Sequence, residues 1–224
     1  MDAKRGQIFT KLAKVISVAA GDGGDDPASN SSLRMAIDNA KAFSMPKENI
    51  ERALRRAQGK LGGDIETVVY EAYGPGGVAI LIECLTNNKN RALSEIKNAL
   101  TKNGGNFAGA GSVAYLFQKK GEIIIEGAKQ NKSADEIEEI IIDSGADDYE
   151  SEGGIYIVYA GTNDLYRVQE NLKSAGLTIE SSELSYVAKN HIDVPDDKQS
   201  RAETLVEALN DLEDVNRVYT NASM

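Results

Sequence analysis

Several residue types are scarce in this chain, and each scarcity excludes a class of protein. Cys84 is the one cysteine among 224 residues, so no disulfide can form within the chain. There is one histidine and no tryptophan. No run of about 18 apolar residues occurs, as a membrane-spanning helix would need. The N-terminus has no apolar core of a signal peptide, and we therefore expect a cytoplasmic protein.

Motifs of enzymes and metalloproteins are lacking too. The sequence has no histidine cluster, cysteine pair, phosphate-loop lysine motif or activated-serine motif. His191 alone does not make a metal site. Cys84 alternates with Val78, Ile80 and Ile82 in a predicted strand, which favours a buried and inert thiol. We therefore predict no catalytic residue, no metal, no cofactor and no small-molecule substrate.

The charged residues that are present are unevenly distributed along the chain. The net charge of the chain is −10, which by itself is unfavourable for binding a polyanion. Counting lysine and arginine against aspartate and glutamate, however, residues 1–62 carry +4 and residues 121–190 carry −10. A nucleic acid would therefore meet the N-terminal part and be repelled by the acidic segment.

The N-terminal part predicts three amphipathic helices. Apolar residues recur at helical spacing over residues 7–20, 32–43 and 46–58. Short amphipathic helices bury their apolar stripes against each other, so we predict a three-helix bundle. Lys60 to Asp64, with two glycines, is the predicted linker to the next domain.

The next stretch predicts a hairpin followed by a helix. Residues 67–73 and 78–85 have strand composition, and Gly74-Pro75-Gly76-Gly77 between them predicts a tight turn. Asn87-Asn88 can cap the helix that follows. A glycine-rich loop at residues 104–111 then leads to a strand predicted over 112–118. That loop follows a helix instead of preceding one, so a structural connector is favoured over a phosphate cradle.

The rest of the chain predicts two more α/β units. Residues 121–190 have the order βαββαβ of a ferredoxin-like unit. Residues 196–221 predict a helix and a short strand that complete the hairpin region. The fold class is therefore α+β: an N-terminal three-helix bundle followed by two α/β, ferredoxin-like domains, the third inserted into the second. The predicted domains are residues 1–62, residues 63–120 plus 191–224, and residues 121–190.

Arginines on the third predicted helix are the best functional signal from residues alone. Arg52, Arg55 and Arg56 are spaced i, i+3, i+4, so they project together and can bind phosphates. Lys11, Lys14, Lys41 and Lys47 belong to the same predicted bundle. An ordinary solvated helix face explains these charges equally well, and both readings stay open.

Five segments resemble the YebC family, which includes the mitochondrial translational activator of cytochrome oxidase. They cover Asp2–Leu12, Met45–Leu54, Tyr70–Leu100, Gly104–Asn106 with Gly111–Phe117, and Leu209–Asn221. Family members usually begin with a basic leader containing Gly-His-Ser-Lys-Trp. This sequence lacks it, so we expect weaker nucleic-acid affinity than the family norm.

The resemblance implies nucleic-acid binding without catalysis. Family members are described as DNA-binding transcriptional regulators or as ribosome-associated translation factors. We expect a DNA-binding transcriptional regulator, with a translation factor bound to ribosomal RNA as the alternative, an enzyme as a distant third, and no membrane partner. Lys89 and Arg91, in the family-like Leu85–Arg91, are a second candidate contact. The full candidate set is Lys4, Arg5, Lys11, Lys14, Lys47, Arg52, Arg55, Arg56, Lys89 and Arg91.

Overall fold

The computed structural model describes residues 2–59 and 65–223, with side chains from residue 5 onward. The predicted linker at residues 60–64 therefore lies outside the described residues. The helices of the described chain are α1 (Asp2–Gly23), α2 (Ser31–Ala42), α3 (Lys47–Ala57), α4 (Lys89–Lys102), α5 (Ala134–Asp143), α6 (Leu165–Ser174) and α7 (Asp196–Asn210). The strands are β1 (Glu66–Tyr73), β2 (Ala79–Thr86), β3 (Asn106–Ala108), β4 (Phe117–Glu126), β5 (Asp148–Glu152), β6 (Ile155–Ala160), β7 (Ser181–Ala188), β8 (Ile192–Asp193), β9 (Val215–Thr220) and β10 (Ala222–Ser223).

The N-terminal helices form the predicted bundle. α1, α2 and α3 share one apolar core that includes Ile16, Leu33 and Ile50. Asn30 caps α2, since its side-chain oxygen accepts a hydrogen bond from the Leu33 N–H. α1 extends beyond both predicted ends. Pro46 precedes α3 instead of starting it, because its extended backbone makes it the N-cap.

Strands β3, β1, β2 and β9 form the first sheet, in that order and with antiparallel pairing. Helices α4 and α7 cover one face, where Ile80 and Ile82 pack with Ile96 and Leu205. The predicted turn joins β1 to β2, and Gly76 and Gly77 have φ of 78° and 82°, values that glycine adopts without strain. The two halves of this unit thus come from widely separated parts of the chain.

The second sheet has the predicted βαββαβ order. Its strands are arranged β5-β6-β4-β7, all antiparallel, which is the ferredoxin-like strand order. Helices α5 and α6 cover one face, with Ile137, Ile141 and Leu172 packed on Ile123 and Val158. The structure confirms the α+β class. The ferredoxin-like label fits this sheet and not the first, whose order differs because its fourth strand, β9, pairs beside β2.

The strand predicted over 112–118 is wrong for most of its length. Residues 114–116 form a single 3-10 turn, and the strand there, β4, begins only at Phe117 and continues to Glu126. Gly121 lies inside β4, where a Cβ would come within 2.8 Å of the Leu165 side chain, so glycine permits this close approach. The short edge strand β3 lies in the glycine-rich loop and was missed. The division into three domains at the predicted boundaries stays a prediction.

The bundle contacts both sheet units. On one side, Lys14 of α1 forms an ion pair with Asp214, just before β9. On the other side, Met35 of α2 is part of the core of the second unit, and the Asn39 side chain donates to the Ser182 carbonyl at 3.0 Å. The N-terminal bundle is therefore held at two places and leaves a cleft beside the first sheet unit.

Candidate nucleic-acid interface

A cleft of about 740 Å³ lies between the bundle and the first sheet unit. α1 and α3 form one wall. The start of α4 and the residues before β9 form the other. Four of its lining residues are cationic and two are anionic: Lys14, Arg52, Arg56 and Arg91, with Glu213 and Asp214. The net formal charge of the lining is therefore +2, in a chain whose total is −10. Candidate residues from three separate segments thus meet at one place.

The three arginines of α3 do not share one environment. Arg52 and Arg56, one helical turn apart, line the cleft, and Arg52 is exposed. Arg55 is exposed but does not line the cleft. Arg56 differs from the other two: it is half-buried, and its Nε is buried without a hydrogen-bond partner among the described residues.

Asp214 is the electrostatic centre of the opposite wall. Its carboxylate accepts from Lys14 Nζ at 2.7 Å, from Arg91 Nη2 at 2.7 Å and Nε at 3.1 Å, and from Thr86 Oγ1 at 3.0 Å. Its side chain is 3% exposed. Burial alone would raise the pKa of Asp214, but the hydrogen bonds from Lys14 and Arg91 outweigh burial and lower it. Asp214 is therefore held as a carboxylate that binds two cations.

The structure corrects the expectation that two lysines of α1 bind nucleic acid. Lys14 is 8% exposed, and its ammonium is occupied by Asp214 and by the Glu213 carbonyl at 2.9 Å. Lys11 is half-buried and donates to the Asn210 carbonyl at 2.5 Å. Burial lowers the pKa of Lys11. Both lysines attach α1 to the C-terminal part of the chain, so in this structure neither ammonium is presented to a phosphate.

Of the two N-terminal candidates, Arg5 alone has a described side chain, and it does not line the cleft. The side chain of Lys4 lies outside the described residues. Arg5 is exposed, and its guanidinium lies 5.3 Å from the centre of the Phe9 ring. That distance is within the range of a cation–π contact. Arg5 keeps its charge at the surface, near the mouth of the cleft that Phe9 helps to line.

Lys47 and Lys89 are exposed and form surface ion pairs. Lys47 lies 3.6 Å from Glu51 on the same helix, and Lys89 lies 2.7 Å from Glu66 of β1. Exposed pairs of this kind contribute little to stability and exchange readily for other partners. Neither lysine lines the cleft.

The backbone N–H groups of the glycine-rich loop bind a carboxylate of the same chain, that of Glu71. The buried Glu71 carboxylate accepts from the backbone N–H of Gly111 at 2.6 Å, of Val113 at 2.6 Å and of Ala114 at 2.9 Å. Burial would raise the pKa of Glu71, and these backbone donors outweigh burial and lower it. The loop is a structural connector, as its place in the sequence predicts.

Other reactive side chains have ordinary surroundings. Burial raises the pKa of the Cys84 thiol to about 12, which keeps it protonated and unreactive at neutral pH. His191 is exposed and borders a shallow hollow of about 250 Å³. Within the described ranges, no group of three or more histidine, cysteine, aspartate or glutamate side chains is placed to bind a metal ion. Among the described helices, none has the length and apolar content to cross a membrane.

Sequence reasoning missed Asp214. It precedes a predicted strand in an acidic segment, where a solvated carboxylate is the ordinary expectation. Its partner Lys14 is 200 positions away in the chain. No local pattern links two residues so far apart, so a single sequence carries no signal for this ion pair.

Comparisons with known proteins agree with this architecture. Residues 1–60 match the model of the TACO1/YebC protein N-terminal domain, and residues 65–222 match that of the TACO1/YebC second and third domain. A protein of Lactobacillus delbrueckii subsp. bulgaricus named "Probable transcriptional regulatory protein" is 43% identical over 222 residues, covering 99% of this chain and 91% of that protein. One of the same name from Thermobifida fusca is 44% identical over 226 residues, covering 100% of this chain and 90% of the relative.

A solved structure is similar over almost the whole chain. The crystal structure of the conserved hypothetical protein Aq1575 from Aquifex aeolicus superposes with a TM-score of 0.94 at 38% identity, covering 99% of this chain and 91% of that one. Family models that together span nearly all the residues, and relatives above 40% identity at full coverage, agree with the fold described above. This chain therefore belongs to the TACO1/YebC family.

Proposed function

We propose that this chain is a regulatory protein that binds nucleic acid without catalysing a reaction, and that it acts on DNA in the control of transcription. The observation that carries the proposal is the cationic cleft, in which Arg52 and Arg56 of α3 face Arg91 of α4. Arginine side chains are well suited to bind phosphate oxygens. The charge is concentrated in one place while the chain as a whole is acidic.

The names of the relatives support the regulatory part of this proposal. Proteins more than 40% identical over the full chain are named probable transcriptional regulatory proteins. Cys84 is buried, and burial raises the pKa of its thiol to about 12, which argues against a cysteine nucleophile.

A second candidate is a ribosome-associated translation factor that binds ribosomal RNA, and the shape of the cleft favours it. The cleft has about 740 Å³, the size of a small-molecule pocket, whereas proteins read duplex DNA by inserting an element into a groove about 12 Å wide. The face of α3 that carries Arg52 and Arg56 lines the cleft, whereas a groove-reading helix presents its side chains to the base edges of a duplex. An irregular or unpaired strand fits this concave shape better.

The test is a charge reversal at Arg52, the exposed arginine of α3 that lines the cleft. Arg52→Glu should leave the melting temperature near wild type, because the side chain is exposed. Binding should fall steeply, and the dependence of log K on log salt should flatten by about 0.9 for each duplex phosphate that the variant no longer neutralises. Gel shifts with duplex DNA and co-sedimentation with ribosomes, both over a salt series, measure this.

The matched control is Lys102→Glu, since Lys102 is exposed, lies outside the cleft and forms no ion pair among the described residues. If both variants lose the same affinity, the signal is net charge and not a site. Selective loss on ribosomes alone assigns the translational role, and selective loss on DNA assigns the transcriptional one. Wild-type binding to both by the α3 variant overturns the proposal.

A further inference from the structure

We propose that the cleft holds a backbone phosphate of an unpaired nucleic-acid strand between Arg56 on one wall and Arg91 on the other. This inference rests on the proposed function and names the part of a nucleic acid that the cleft takes. Both arginines line the cleft, and they come from segments that belong to different units of the fold, the bundle and the first sheet unit.

Arg56 is the residue that most requires a partner. Its Nε is buried, and no described residue accepts a hydrogen bond from it. A buried donor left without an acceptor is costly, more so when it belongs to a charged group. A phosphate oxygen would satisfy it and would also meet the guanidinium charge. Arg52, one turn earlier on the same wall, forms no ion pair with any described residue, so its charge is equally available.

Arg91 is held in position for the same anion. Its Nε and Nη2 donate to the buried Asp214, which fixes the plane of the guanidinium. Arginine carries five N–H donors, and its bonds within the described chain leave Nη1 for a second acceptor. The side chain is 48% exposed and lines the cleft. Asp214 thus serves as a positioning residue for Arg91.

The cleft suits one or two nucleotides of a single strand. Its volume lies within the usual range for a small-molecule pocket, about 300–1,000 Å³. Asn49 and Asn87 add uncharged amides to the lining, one on each wall. A flexible single strand can turn one phosphate into such a cleft, whereas the phosphates of a duplex lie along a stiff double helix, so we expect the site to favour unpaired strands over paired ones.

The experiment compares two neighbouring arginines of α3. Fluorescent twelve-nucleotide strands, one DNA and one RNA, are titrated with the full chain by anisotropy over a salt series. Arg56→Gln should weaken binding by about tenfold or more, as expected for loss of a charge-assisted hydrogen bond. It should also reduce the salt slope by about 0.7, the value for one single-strand phosphate. Arg55→Gln, outside the cleft, should weaken binding by less than about threefold.

The outcomes separate this inference from the proposed function. If wild type binds no nucleic acid, both fail. If it binds and Arg55→Gln costs as much affinity as Arg56→Gln, the helix surface binds and the cleft proposal is overturned. A blunt duplex of the same sequence that binds as tightly as the single strand and depends equally on Arg56 also overturns it. Should Arg56→Gln lower the melting temperature, the exposed Arg52→Gln replaces it, and wild-type affinity in that variant counts against the cleft.

Discussion

Glu71 and Asp214 are both buried carboxylates, but their hydrogen-bond donors come from different sources. Glu71 is bound by backbone N–H groups of one short loop, at Gly111, Val113 and Ala114. Asp214 is bound by the side chains of Lys14, Arg91 and Thr86, which come from two segments, both more than 100 residues away in the chain. In both cases the donors lower the pKa of the carboxyl despite its burial.

The two carboxylates therefore have different structural roles: Glu71 orders one loop, whereas Asp214 connects the N-terminal bundle to the first sheet unit. The donors of Glu71 are backbone dipoles without net charge, and all of them belong to the loop that leads from β3 to β4. The donors of Asp214 include two cations, one of them on the N-terminal bundle. Removing Asp214 therefore leaves charge without compensation as well as donors without an acceptor. We expect loss of the Asp214 carboxylate to lower the unfolding free energy more than loss of the Glu71 carboxylate, and to affect more of the chain.

The largest effect is expected for Asp214→Ala. Lys14 would remain buried with no counter-charge, and removal of one partner of a buried pair costs about 3–5 kcal/mol of unfolding free energy. Urea denaturation measures this, with the exposed Asp193→Ala as control. A loss below about 1 kcal/mol would mean that Lys14 swings out to solvent and that the pair is not a structural link.

A smaller effect is expected for Glu71→Gln. The amide keeps the size of the side chain but replaces one oxygen by an N–H₂ group, which cannot accept from the loop. At least one backbone N–H then loses its acceptor, at a cost of about 1–3 kcal/mol. The exposed Glu203→Gln is the control. Amide hydrogen exchange should rise at Val113 and Ala114 but not across the bundle. Faster exchange in α1 would contradict a purely local role for Glu71.

The fold was largely predictable because periodicity reports which face of an element is buried. The helices of the bundle, the β1–β2 hairpin and the βαββαβ order all follow from such patterns. Periodicity does not account for Gly121, which lies inside β4 where any larger side chain would collide with Leu165. That close approach depends on packing between elements, which local sequence does not encode.

The candidate site was predictable only in part, for a similar reason. Spacing on one helix groups Arg52 with Arg56, which line one cleft, but it cannot tell that Arg55 lies outside that cleft. Lys14 carries the same charge as these arginines, yet its partner lies 200 residues away. Sequence patterns identify the charges on one wall of a cleft, while the opposite wall is set by the tertiary fold.

The smallest expected effect is on stability at acid pH, where the contributions of the two carboxylates to the unfolding free energy can be distinguished best. A carboxyl whose pKa is lowered by folding stabilises the protein above its unfolded-state pKa, and that stabilisation is lost as pH falls through the folded-state pKa. The ordinary values are 4.5 for Glu71 and 3.8 for Asp214. Unfolding free energy should therefore begin to decline below about pH 4.5 through Glu71, and further below about pH 3.8 through Asp214.

Each variant should remove its own part of this decline. Glu71→Gln should flatten the upper part of the curve of unfolding free energy against pH, and Asp214→Asn the lower part. Added salt should weaken the Asp214 contribution more, because Arg91 is half exposed and its charge is screened, whereas backbone dipoles around a buried Glu71 are screened little. Urea denaturation from pH 6 to pH 3 at low and high salt measures both. Equal salt sensitivity of the two variants would show that the Asp214 ion pairs behave like ordinary hydrogen bonds, and the distinction between backbone and cationic donors would not hold.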